Sequence, residues 1–291
     1  SSKLKLIGVT GTNGKTTIVT LLHELFNALG YPTALISTIR IKLIDQILDA
    51  THTTPDAVQI NNILKMAVDK GCQYCFMEVS SHAVSQKRIA GLEYAGGIFT
   101  NITHDHLDYH NTFAEYRDAK KAFFDGLDSS AWVIINSEDR NSSYMIQNCQ
   151  ASAYTYATSG LADFRTRVLD DTMEGLHLDI DNRQIWCLLS GEFNAKNLTA
   201  VYGAARLEKT DTDEVLAALT TLTGAEGRFE KVANDAGVVA VVDYAHTPDA
   251  LENVLKIIVK SRGAARQIIT VIGAGGDRDA LKRPKMAAIA A

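Results

Sequence analysis

Nowhere in the 291 residues does an apolar run approach the roughly 20 residues that a transmembrane helix needs. No secretory signal precedes the first apolar run, Leu4 to Val9. Positive charge is not in excess: 29 Lys and Arg stand against 34 Asp and Glu, a net charge of -5. That balance argues against broad nucleic-acid or membrane binding and leaves room only for a small local basic pocket. Cysteine is scarce. Cys72 and Cys75 form one C-x-x-C, but no second pair completes a zinc site, and Cys75 falls inside an apolar run. With Cys149 and Cys187 they are read as reduced core residues, which fits a reducing cytoplasm. Internal repeats and low-complexity segments are missing too. What is present is ordinary for a globular chain, 46% apolar and 22% charged residues, with length for more than one domain.

The chain opens with a short apolar run, a glycine-rich turn and a helical pattern in which Ile18, Leu21, Leu22, Leu25, Phe26 and Leu29 recur at three and four residues, stopped by Gly30. Buried strands are predicted at Tyr74 to Val79, Gly97 to Phe99 and Trp132 to Ile135, separated by helices at Asp56 to Lys70 and Phe113 to Phe124. This alternation predicts an α/β fold with a mostly parallel sheet covered on both faces. Tyr154 to Trp186 reads instead as a small antiparallel β insert, followed by a helix from about Lys196 to Leu207. A second unit begins near Gly224, giving expected domains of 1–224 and 225–291. In it Val238 to Val242 and Ile268 to Ile272 read as strands, and Thr247-Pro248 as a capped helix start. One or two βα units are too little for an independent doubly wound domain, so the sequence reads as cut short.

The most specific local chemistry is Gly11-Thr12-Asn13-Gly14-Lys15-Thr16-Thr17, between a strand and a helix. Glycines let backbone N–H groups turn toward phosphate oxygens, and the helix adds its positive end. Lys15 can reach the β- and γ-phosphates and the Thr16 hydroxyl can hold Mg²⁺. The strict Walker pattern would need glycine at position 9, where this chain has Val9, flanked by Gly8 and Gly11.

Further segments follow in order: His52-Thr53-Thr54-Pro55-Asp56, Glu78-Val79-Ser80-Ser81-His82, Thr100-Asn101-Ile102-Thr103-His104-Asp105-His106-Leu107-Asp108-Tyr109-His110 and Tyr116-x-x-Ala119-Lys120. After these come Asn194-x-x-Asn197, Gly227-Arg228-Phe229-Glu230, Asp243-Tyr244-Ala245-His246-Thr247-Pro248-Asp249 and Gly275-Gly276-Asp277-Arg278-Asp279. Over essentially the whole chain this array resembles the Mur ligases, and within them the members that add the third residue of the UDP-muramyl peptide.

The resemblance implies a P-loop central ATP-binding domain, then the start of a Rossmann-like C-terminal domain. It implies a bacterial, cytoplasmic ATP-dependent amide-bond ligase of peptidoglycan precursor synthesis. Such an enzyme acts through an acyl phosphate on UDP-MurNAc-L-Ala-D-Glu and a diamino acid, meso-diaminopimelate favoured over L-lysine. Lys15, Glu78, His106 and Lys120 would be catalytic, and Thr16, Glu78, His106 and a carbamylated Lys120 would hold Mg²⁺. ATP would be bound by Gly11 to Thr17 with Asn194, Asn197, Arg228 and Asp243. The muramyl peptide would meet Thr53, Thr54, Ser80, Gln86 and Arg88, and the incoming amino acid Arg278. The resemblance leaves out the family's N-terminal domain and most of its C-terminal domain, so this chain alone is expected to have little activity.

Other readings stand beside these. Glu78 suits a strand-end cap or ion pair, Asn194 an N-cap, and Lys120, on sequence alone, a surface lysine. The His104, Asp105, His106, Asp108 and His110 cluster is compatible with a zinc or dinuclear hydrolase site. A non-catalytic nucleotide-binding module of the same fold is the remaining alternative.

Overall fold

The computed structural model describes residues 4–103, 105, 107–233, 238–261, 267–273 and 282–291. The chain opens with β1 (Lys5–Thr10), α1 (Lys15–Ala28), β2 (Thr33–Ile36) and a hairpin of β3 (Arg40–Leu43) and β4 (Gln46–Asp49). Next come α2 (Ala57–Asp69), β5 (Tyr74–Glu78), α3 (Ser81–Ser85), β6 (Gly96–Phe99), α4 (Leu107–His110), α5 (Phe113–Asp125), β7 (Trp132–Asn136) and α6 (Ser142–Met145). β8 (Ser152–Ala157), β9 (Phe164–Asp171), β10 (Leu176–Ile180) and β11 (Arg183–Cys187) lead to α7 (Glu192–Leu207) and α8 (Thr212–Leu219). The last elements are β12 (Glu230–Ala233), β13 (Val239–Val242), α9 (Pro248–Ser261) and α10 (Lys282–Ala290).

Eleven strands form one sheet in the order β11-β10-β9-β8-β7-β6-β1-β5-β2-β3-β4. Pairing is parallel from β2 across to β9 and antiparallel at both edges. The strands alternate between two cores, as the pleat requires. Ile7, Val9, Phe76, Ile98 and Ile134 pack with α1 and α7 on one face. Leu6, Cys75, Met77, Phe99 and Val133 pack on the other with α2 and α5. Helix starts are set by caps: Asp56 accepts from Gln59 N, Thr112 from Glu115 N, and Asp211 from Asp213 N and Glu214 N.

β1 lies between β5 and β6: the chain leaves β1 for β2 on the β5 side, and later crosses from β5 to β6 on the other. The crevice beyond the carboxyl ends of such strands is where open α/β sheets bind ligands. At the opposite end one side chain, Glu208, joins three strands. It accepts from Lys5 Nζ (2.6 Å), Tyr74 OH (3.2 Å) and Trp132 Nε1 (2.8 Å), and only 5% of its side chain is exposed.

The expected antiparallel β insert is present over β9 to β11, where it extends the main sheet beyond the parallel β8–β9 pair. Two sequence-based expectations need correction. The helix expected near Lys196 starts at Glu192, because Gly191 at φ 96° turns the chain one helical turn earlier. Ile268 to Ile272 is not a strand. Ile269 and Val271 are 81% and 93% exposed, so the run lacks the covering layers that a buried parallel strand needs. β12 and β13 form a two-stranded antiparallel ribbon, and α9 packs Val254 and Ile257 beside Phe229 and Val241. Among the described residues no helix is long and apolar enough to cross a membrane.

Candidate functional site

The loop after β1 is shaped by its glycines. A Cβ on Gly11 would lie 1.8 Å from Thr100 Oγ1, and one on Gly14, at φ +90°, would lie 2.9 Å from Asn197 Oδ1. The loop is held from outside by the strand end after β6. Thr12 N and Asn13 N donate to Asn101 O (2.8 Å) and Oδ1 (3.0 Å), and Thr100 Oγ1 donates to Asn13 O (2.6 Å). Two loop amides are therefore turned to protein, and the expected cradle narrows to those from Gly14 into α1, whose first turn has no intrahelical acceptors. Lys15 Nζ folds back onto Gly11 O and Thr12 O, both at 2.9 Å. Burial lowers its pKa and the Arg228 charge adds to that, while Glu78 and Asp105 oppose it.

Lys120 reaches the same loop from α5. It is 1% exposed and donates to Gly11 O at 2.8 Å, so one carbonyl receives two ammonium groups. Its pKa is pushed well below the usual lysine value by burial and by the Lys15 charge, against the pull of Asp105. This is not a surface lysine. Lys121, one position on, turns to Asp125 Oδ1 at 2.6 Å. Tyr116, four residues before Lys120 and on the same helix face, meets Thr12 Oγ1 at 3.0 Å.

Glu78 ends β5 and is 1% exposed. Its carboxylate accepts from Thr38 N (2.7 Å) and Thr38 Oγ1 (3.1 Å), and Thr53 Oγ1 lies 3.1 Å from Thr38 Oγ1. Its bonds go to the loop after β2, and among the described residues it neither caps α3 nor forms an ion pair with a cation. Ser80 caps α3 instead. The five residues assigned by resemblance to the muramyl peptide come together as one arc. Thr54 Oγ1 donates to Glu78 O (2.7 Å) and accepts from Ser80 N (3.0 Å). Arg88 Nη1 donates to Thr54 O and Arg88 Nε to Gln86 Oε1, each at 2.8 Å.

The second unit closes the other side of a cleft of about 770 Å³ lined by Lys15, Thr16, Glu78, Asp105, Arg228 and Asp243. Arg228 Nη2 donates to Thr16 Oγ1 at 3.0 Å and the guanidinium lies 4.4 Å from the Tyr244 ring centroid. Its Nε is buried without a hydrogen-bond partner among the described residues. Asp243 accepts from Phe229 N and Ala245 N, both at 2.7 Å, and burial raises its pKa. Asn194 is not an N-cap: it sits inside α7, donates to Ser190 O (2.9 Å) and accepts from Asn197 Nδ2 (3.1 Å). That bond leaves Asn197 Oδ1 beside Gly14.

His104, His106 and Arg278 lie outside the described residues. The other described side chains of that cluster hold separate partners. His110 Nε2 meets Ser81 Oγ at 2.9 Å, while Asp105 accepts from Lys282 Nζ and lies 3.6 Å from His246 Nε2. Among the described residues no three His, Cys, Asp or Glu side chains are grouped as a metal site. Thr38, Tyr244 and Lys282 were not expected from the sequence. Thr38 lies just past β2, beside the end of β5, and a four-residue strand leaves no period in the sequence that would have found it.

The Mur ligase middle domain matches residues 9–205, and the Mur ligase glutamate ligase domain matches residues 227–291. The chain is 57% identical over 290 residues to the UDP-N-acetylmuramoyl-L-alanyl-D-glutamate--2,6-diaminopimelate ligase of Cytophaga hutchinsonii, covering 100% of this chain and 60% of that protein. It is 53% identical over 287 residues to the ligase of the same name from Phocaeicola vulgatus, covering 99% of this chain and 59% of the relative. A solved structure of a ligase of that name superposes with TM-score 0.76 at 34% identity, over 99% of this chain and 60% of the other. The chain thus spans about 60% of the length of the curated relatives it matches. Matching both domains in order and along nearly its whole length, this chain belongs to the Mur ligase family.

Proposed function

We propose that this chain is the ATP-binding part of a cytoplasmic ligase that adds a diamino acid, meso-diaminopimelate rather than L-lysine, to UDP-MurNAc-L-Ala-D-Glu. The observation that carries the reading is convergence: Lys15, Lys120, Glu78 and the Ser80–Arg88 arc meet at the carboxyl ends of β1 and β5. The named relatives support the substrate assignment.

ATP gives its γ-phosphoryl group to the substrate carboxylate, releasing ADP. The amine then attacks the acyl phosphate, phosphate leaves, and an amide remains. The residues present suit these anions. The glycine cradle has no room for side chains, Lys15 is aimed at the loop, and Arg228 lines a cleft that a polyanion would fill. Asn194, Asn197 and Asp243 would take the adenine and ribose, an amide pair and a carboxylate matching a base edge and a diol. Mg²⁺, when bound, offsets phosphate charge, and Thr16, Glu78 and a carbamylated Lys120 are the described groups that would hold it, with His106 outside them. Carbon dioxide adds only to a neutral amine, which the depressed pKa of Lys120 favours. Deprotonation of the ammonium and formation of the N–C bond each release one proton, so an anion replaces a cation and two protons go to solvent. The 225–291 unit would close the cleft and contribute Arg278 to the amino-acid site.

The test is ADP release by the complete gene product, which should require both UDP-MurNAc-L-Ala-D-Glu and meso-diaminopimelate and be weak with L-lysine. Lys15→Ala should lower turnover by about 100-fold or more. Release of ADP independent of the dipeptide, or an unaffected Lys15→Ala enzyme, overturns the assignment.

A further inference from the structure

The arc that holds Gln86 and Arg88 is braced from a neighbouring element. Gln86 uses its amide oxygen for the Arg88 guanidinium and its amide nitrogen for Tyr109 OH at 3.2 Å. An amide has distinct donor and acceptor ends, so the Tyr109 hydroxyl fixes which end faces Arg88. The Tyr109 ring is itself placed, 4.1 Å from the His82 ring and 4.8 Å from the His110 ring between centroids. His110, 5% exposed, meets Ser81 Oγ at 2.9 Å at the start of α3. Tyr109 and His110 close α4, so one short helix grips both ends of the segment from Ser81 to Arg88. Arg88 in turn reaches Thr54 O, and Thr54 holds Glu78 O.

We propose that Tyr109 is a positioning residue for the peptide end of the muramyl substrate, acting through Gln86 to orient Arg88. This rests on the placement of that substrate on the Ser80–Arg88 arc. Tyr109 is 40% exposed and forms no part of the core, so its hydroxyl is not needed to keep the fold. Its removal frees the Gln86 amide to rotate and loosens the guanidinium, while the phosphate loop keeps its separate bonds to Asn101 and Thr100.

The experiment is a double-mutant cycle in the complete gene product, with Tyr109→Phe, Gln86→Ala and the pair, reading KM for UDP-MurNAc-L-Ala-D-Glu and for ATP separately. Tyr109→Phe keeps the ring against His82 and removes only the hydroxyl. It should raise the dipeptide KM about 3- to 10-fold and leave the ATP KM in place. In the Gln86→Ala background the same change should add almost nothing, because the hydroxyl has no amide left to orient. An unchanged dipeptide KM in Tyr109→Phe beside a raised one in Gln86→Ala overturns the role of Tyr109 alone. Effects that multiply in the pair, or an ATP KM that rises with the dipeptide KM, overturn it equally. A Gln86→Ala enzyme with unchanged dipeptide KM removes the substrate from this arc, and the proposal with it.

Discussion

Lys120 and Lys121 are neighbours in sequence, and both are buried, yet their surroundings assign them opposite work. Lys121 neutralises Asp125, an i,i+4 pair on its own helix. Lys120 points about 100° away, into the site, where Lys15 repels its charge. Sequence alone could not separate them, since a lysine on an amphipathic helix is ordinarily solvated. The difference comes from the far end of the chain segment, at Gly11. Lys120→Ala is expected to cut ligation by about 100-fold or more, the scale of losing a group that acts on developing charge. Lys121→Ala should stay within a few-fold. Steady-state rates of both variants at saturating bicarbonate check this, and equal losses would remove the carbamate assignment. The Arg228–Tyr244 stack was equally hidden, because nothing in either residue's neighbours in sequence foretells a contact made through tertiary folding.

Among the elements, β1 with α1 and β5 were legible because their patterns are long or wholly apolar and end in glycine or a charged residue. β2 and the β3–β4 hairpin were not, since runs of four residues carry too few positions to show a period. α8 had a signal in Asp211 followed by Glu214, a cap with an acidic residue three positions later. The junction of α1 with β2 has a pH-dependent consequence. His23 is 8% exposed and bonds to Thr33 through Nδ1 at 2.6 Å. Burial, with Lys42 nearby, lowers its pKa to about 4. The unfolded chain, near the ordinary histidine value of about 6.5, binds more protons than the folded chain between those two values. Stability therefore rises with pH across that window and is lost on acidification through it. The full span is worth about 3 kcal/mol. His23→Gln should shrink the difference in urea midpoint between pH 7 and pH 4.5. An undiminished difference would place the acid sensitivity elsewhere.

At the scale of the whole molecule, the site belongs to neither unit alone. Asn13 Nδ2 donates to Asp249 Oδ2 at 3.3 Å, Arg228 reaches Thr16, and Lys282 reaches Asp105. The cleft is lined by the phosphate loop on one side and by Leu251, Val254 and Leu255 of α9 on the other. A nucleotide filling it should order both walls. Hydrogen exchange with and without Mg²⁺ and a non-hydrolysable ATP analogue should show slowing in α1 and in α9 together, whereas slowing confined to α1 would mean that α9 takes no part. The wall from the first unit was readable as strand, glycines and helix. The opposite wall was readable only as separate motifs, because the pairing of Arg228 with Thr16 spans more than two hundred residues.

The Glu208 carboxylate gives the sheet the mechanics of a fan pinned at its handle. Lys5, Tyr74 and Trp132 stand at the base of β1, β5 and β7, and their far ends carry the phosphate loop, Glu78, and Asn136 bonded to Thr100 O. With the base riveted, those three blades cannot slide past one another, and the only freedom left at the tips is a small change of splay. On the proposed reading, opening for ATP and closing around it would then be left to the second unit, with the blades as a fixed edge for it to close against.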